Sequence, residues 1–156
     1  MPSEKQVINT FLQEVLCNYS RDTQELAPCN HEEADKRIFV YMKDAVNRRL
    51  SKVLIHTVDT DVVVLAVAAV VQTEVKEFWV AFGTGKNFRY ISAHDIAAAL
   101  GPDKAHALPM FHAYTGCDTI SSFGNVGKKN AWDTWKMFGE VTETFLALSK
   151  GPHTLD

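Results

Sequence analysis

The sequence predicts an α/β fold in which a parallel sheet is flanked by helices, and three observations carry that expectation. The stretch Val53–Val58 is β-branched and aliphatic with few polar interruptions, as a strand buried on both faces would be. The apolar run after it, ending at Val71, is too long for one strand and rich in alanine, which reads as a buried helix. Glu77–Phe82 then repeats the strand signature, so strand, helix and strand follow one another as in a parallel crossover unit. With 156 residues, the chain fits one domain able to bury a real core. Its hydrophobic fraction of 46% and charged fraction of 22% are those of an ordinary soluble globular protein.

Taken in order, Val7, Ile8, Phe11, Leu12, Val15 and Leu16 recur at helical spacing and predict an amphipathic helix. A polar connector with Pro28 leads to a second helix, whose stripe Ala34, Ile38 and Met42 faces inward. Arg48, Arg49 and Lys52 close it as a cationic C-terminus. After the strand–helix–strand core, Gly83-Thr-Gly-Lys86 is a turn leading into a strand at Phe88–Ile91, a hairpin-like extension. The turn lacks the spacing of a phosphate-binding P-loop and no helix follows it. Ser92 with Asp95 at the third position starts a helix in the manner of a capping box, and Gly101-Pro102 ends it. The last third holds a helix near Leu108–Tyr114, a glycine-bounded turn, and a helix from about Ala131 with Trp132, Trp135 and Phe138.

Charge and cysteine usage narrow the function classes. A net charge of −3 gives no global attraction to nucleic acid, so any such binding needs a local basic patch. Cys17, Cys29 and Cys117 are far apart and form no CxxC pair, which reads as free thiols in a reducing, intracellular compartment, nuclear or cytoplasmic. The chain opens on polar residues without a signal peptide, and no apolar run predicts a membrane span. No Gly-x-Gly-x-x-Gly turn follows a strand, which argues against a dinucleotide-binding enzyme.

The candidate chemistry lies in acids. Asp59 and Asp61 stand where the buried strand meets its helix, the carboxyl edge at which ligands gather in α/β sheets. Two carboxylates so close repel unless a cation or a proton compensates them. The same pair is also what an Asx turn produces, with Asp61 facing the positive end of the helix dipole. Asp35 projects over the inward face of its helix, a costly place for an unpaired carboxylate, and Glu33 stands beside it. Farther on, Gly124, Gly127, Lys128 and Lys129 form a glycine turn and a cationic helix start suited to a phosphate backbone, or a plain helical hairpin with solvated lysines. His31, His56 and His112 lie near these motifs and read as packed or solvated histidines.

Glu33-Ala-Asp35, Asp59-Thr-Asp61 and Gly116-Cys-Asp118, followed by a glycine hairpin and lysines, resemble the nuclease core of the flap endonucleases in the PIN-like superfamily. There the corresponding stretches read Glu-Ala-Glu, Asp-x-Asp and Gly-Ser-Asp, the last leading into a helix–hairpin–helix that holds duplex DNA. The resemblance spans about residues 27–139. The chain also resembles a poorly characterised animal group with the same His-Glu-Glu-Ala-Asp, Asp-Thr-Asp and Thr-Gly-Cys-Asp-Thr motifs, a group for which a mobile-element origin is the expectation.

The resemblance implies a PIN-like parallel sheet with a helix–hairpin–helix at 105–139. It also implies divalent-metal-dependent phosphodiester hydrolysis, with DNA a better substrate than RNA. Asp59, Asp61 and Asp118 would be catalytic, and Glu33, Asp35, Asp59, Asp61 and Asp118 would hold Mg²⁺ or Mn²⁺, ions that prefer hard oxygen ligands. Gly124, Gly127, Lys128 and Lys129 would hold nucleic acid. The family draws two more aspartates from earlier strands, whereas the residues before Glu33 read here as helix and loop. The expectation is therefore one PIN-like domain over 1–156, N-terminally incomplete, with a partner chain or a missing segment completing the sheet. The alternative is a catalytically inactive module of the same fold that binds nucleic acid or protein.

Overall fold

The computed structural model describes residues 5–11, 14–19, 22–26, 34–116 and 127–150. The chain is α/β, with a small mixed sheet flanked by helices, and divides into two compact units, 1–49 and 50–156. Among the described residues no helix is long and apolar enough to cross a membrane.

In the first unit, strands β1 (Ile8–Phe11) and β2 (Glu14–Cys17) pair antiparallel, with Ile8 opposite Cys17 and Phe11 opposite Glu14. This replaces the amphipathic helix expected over the same residues. The apolar spacing suits a helix, but Val7, Ile8, Thr10 and Val15 are β-branched and lose side-chain freedom in one. A segment this short is also a marginal helix without tertiary support. Helix α1 (Ala34–Asn47) follows a 3-10 turn at Gln24–Leu26. Tyr41 on α1 hydrogen-bonds Thr10 of β1, and Arg37 donates to the Leu26 carbonyl at 2.6 Å, with its guanidinium 5.1 Å from the Tyr41 ring centre. Among the described residues of this unit, Val15, Leu26 and Met42 are buried apolar side chains.

The second unit is built on β3 (Lys52–Thr57), α2 (Thr60–Val71), β4 (Glu77–Phe82) and β5 (Arg89–Ser92). The order is β3-β4-β5, with β3 parallel to β4 and β4 antiparallel to β5. The sheet is therefore mixed, in place of the parallel one expected. Gly83 makes the β4–β5 turn possible: its φ is 84°, and a Cβ there would stand 2.8 Å from the Asn87 carbonyl oxygen.

Strand alternation sorts the sheet into two faces. Val53 and Phe78 share one row, and Ile55, Val80 and Ile91 the next; Phe78 and Val80 are wholly buried. Helix α2 buries Val62, Ala66, Val67 and Ala68 and packs on β4, α3 (Ala93–Leu100) and α4 (Pro102–Tyr114). Each large aliphatic side chain so buried is worth about 1.5–3 kcal/mol. Small residues where the helices meet, Ala93, Ala97 and Ala105, let them approach closely. Ser92 caps α3 as expected, accepting from the Asp95 N–H at 3.3 Å and donating to the Asp95 carboxylate at 2.5 Å.

Helix α4 carries no single apolar stripe because it meets α2 on one side and α6 (Val141–Ser149) on the other. Its Phe111 stacks on Trp135 of α5 (Lys128–Met137) with centroids 4.7 Å apart, and Phe145 of α6 closes the aromatic cluster. The buried Trp135 indole N–H is satisfied by the Thr142 hydroxyl at 2.9 Å.

Candidate functional site

The site grows from the end of β3. The Thr57 hydroxyl accepts the Asp59 N–H at 3.0 Å, which turns the chain out of the strand. Asp59 is then the N-cap of α2, in extended backbone, its carboxylate accepting the Asp61 N–H at 2.8 Å. Asp61 sits in the first turn, where the N-terminal end of the helix favours negative charge. The Asx-turn geometry that the sequence permits is thus the one formed.

What compensates Asp61 comes from two other helices. His112, in the last turn of α4, brings its Nε2 to 2.7 Å from Asp61 Oδ1, and its side chain is 13% exposed against 40% for Asp61. Lys128, the first residue of α5, brings its Nζ to 3.3 Å from the other ring nitrogen, Nδ1. One proton placement satisfies both partners: the lysine donates to Nδ1, and Nε2–H donates to the carboxylate. Lys129 is exposed beside Lys128. Gly127, the N-cap of α5, has no side-chain cap hydrogen bond; its carbonyl accepts the Asn130 N–H at 2.9 Å and the Ala131 N–H at 3.2 Å.

Among the described residues, no group of three or more His, Cys, Asp or Glu side chains is placed to hold a metal ion. This overturns the expectation of Mg²⁺ or Mn²⁺ as cofactor. The reason is where the acids point. Asp59 is committed to capping α2 and Asp61 to His112, whereas these ions need several converging oxygens. Glu33, Asp118 and Gly124 lie outside the described residues, as does the Asp35 side chain, whose backbone is in the first turn of α1. Of the expected site residues, the structure brings together Asp59, Asp61 and Lys128, with Gly127 and Lys129 next to the lysine.

Sequence alone reads His112 as a packed or solvated residue. It is packed, and it is also the link between Asp61 and Lys128. The one signal in the sequence is its place at the end of a helix close to the third acidic motif. Its pairing with Asp61 is long-range and leaves no local pattern.

No family model, curated protein or solved structure matches the chain.

Proposed function

We propose that this chain is a PIN-like module that holds a nucleic-acid backbone at the start of α5 without metal-dependent hydrolysis. The observation that carries this reading is the Lys128–His112–Asp61 chain, which compensates Asp61 with protein groups in the position where a nuclease would employ cations. Phosphodiester hydrolysis by the two-metal route needs ions clamping the attacking and leaving oxygens, whereas Asp59 and Asp61 are engaged with protein groups.

Binding needs less. Lys128 and Lys129 place two cations beside the positive end of α5, and exposed lysines with backbone N–H groups at a helix start are a common grip on phosphate. Helices α4 and α5 stand on either side of residues 117–126, the order that a helix–hairpin–helix requires. Duplex DNA is the substrate class that such an element would hold.

The test is fluorescence anisotropy with a labelled DNA duplex at several salt concentrations. Lys128→Glu with Lys129→Glu should weaken binding and flatten its salt dependence, by about one unit of log–log slope for each phosphate that the variant ceases to neutralise. Unchanged affinity and slope in the double variant would sink the assignment.

A further inference from the structure

The second face of the three-stranded sheet has a different composition from the helix-covered one. Register places Leu54, Trp79 and Ser92 in one row, and His56, Ala81 and Tyr90 in the next, with Phe88 following on the β5 side. Leu54 is 61% exposed, Tyr90 62% and Phe88 42%, and His56 is exposed as well. The rings form a series: His56 stacks on Phe88 with centroids 6.3 Å apart and planes 21° apart, and Phe88 meets Tyr90 edge-on at 5.2 Å.

The charge around these rings has one sign in excess. Residues 52–57 and 77–92 contain Lys52, Lys86 and Arg89 but only one acid, Glu77, a balance of 3 − 1 = +2 within a chain of net charge −3. Glu77 is already paired with Lys52 at 2.6 Å, and Arg89 has the opposite parity to Phe88 and Tyr90, with its guanidinium 5.3 Å from the Phe82 ring centre, so the positive charge left for the ring face is that of Lys86, exposed in the turn before Phe88. Flat π-faces open to solvent on a sheet, with an unmatched cation at the margin, suit bases that stack and phosphates that run alongside.

From this we infer that the sheet face bearing His56, Phe88 and Tyr90 binds single-stranded nucleic acid by base stacking, with Lys86 taking the backbone. The inference rests on the nucleic-acid reading above but uses a different surface, so the two can fail separately. An extended polypeptide strand added at the outer edge of β3 is the competing occupant. It would require apolar bulk at position 54 on β3, and no ring.

The experiment compares a labelled oligothymidylate with a labelled DNA duplex by anisotropy, using wild type, Tyr90→Phe, Phe88→Leu with Tyr90→Leu, and Lys128→Glu with Lys129→Glu. Leucine keeps the apolar surface and removes the π-face. The expected result is single-strand binding that Tyr90→Phe retains and the double leucine variant weakens tenfold or more, with an unchanged thermal midpoint. Tyr90→Leu alone, weakened about tenfold, serves if the double variant unfolds. Single-strand binding unaffected by leucine overturns the inference, and if the lysine variant still abolishes duplex binding, the proposed function stands without it. Ring-dependent single-strand binding with duplex binding indifferent to the lysine change supports the inference and removes the hairpin reading. Binding of neither probe overturns both, and self-association or peptide capture in place of oligonucleotide binding assigns the face to a strand partner.

Discussion

On one face of the sheet, Phe78 and Val80 lie wholly buried beneath α2 and α3; on the other, one residue along each strand, Leu54 and Tyr90 stand more than half in solvent. Both faces are apolar, so hydrophobicity alone does not separate them. What separates them is shape and company. The covered face meets alanine-rich helices that interdigitate with aliphatic side chains, whereas the open face carries rings, with Lys86 in the turn beside them. Parity thus separates the buried Phe78 and Val80 from the exposed Leu54 and Tyr90, although Ala81 on the second face is buried as well.

The largest expected effect tests that division directly. Phe78→Ala should cost about 3–5 kcal/mol of unfolding free energy, because it removes a fully buried ring from a packed layer. Tyr90→Ala should stay within about 0.5 kcal/mol, as for an exposed residue. Chemical denaturation of both variants measures the contrast, and equal losses would mean that the second face is covered in the folded protein.

A smaller effect is expected where the sheet hands over to α2. Asp59→Ala removes the cap on the Asp61 N–H and should cost about 1 kcal/mol, while Asp59→Ser, which can still cap, should recover most of it. Were alanine neutral, the carboxylate would have no structural duty and its place at the strand end would need a ligand to explain it.

The smallest effect lies at the edge of the open face. The hydrogen bond from Lys52 holds the Glu77 carboxyl below the usual carboxylate range. A carboxylate with a depressed folded pKa contributes stability that is fully present above the ordinary carboxylate pKa and is lost as pH falls through the lowered one. Lys52→Met should therefore flatten this part of the acid limb of the stability curve and leave the remainder unchanged. Urea midpoints followed from neutral to acid pH would show it; an identical acid limb in the variant would remove the pair from the account.

How much of this is legible in the sequence depends on how local each feature is. β3, α2, β4 and β5 are readable from the apolar runs and the Gly83–Lys86 turn, and the Ser92–Asp95 cap from four consecutive residues. The β1–β2 hairpin is not, because Val7, Ile8, Phe11 and Val15 satisfy a helical spacing as well as a strand composition. Sequence places the start of α5 at about Ala131, whereas it lies at Lys128, since Gly127 offers no capping side chain to mark it. At the site, the position of Asp59 and Asp61 follows from their place after a strand, but their direction does not. The cation inferred from a row of acids depends on where the side chains point, and a histidine from another helix occupies that role for Asp61.

His112 also acts as a fastener. Its ring is gripped at both nitrogens, so a half-turn about its terminal torsion would set carbon atoms against both Asp61 and Lys128 at the same moment. The start of α2, the end of α4 and the start of α5 therefore share one pin, which is either home or out. Energies at the two outer residues cannot then be summed as if independent: with either of them removed, the ring holding the other keeps only half of what oriented it.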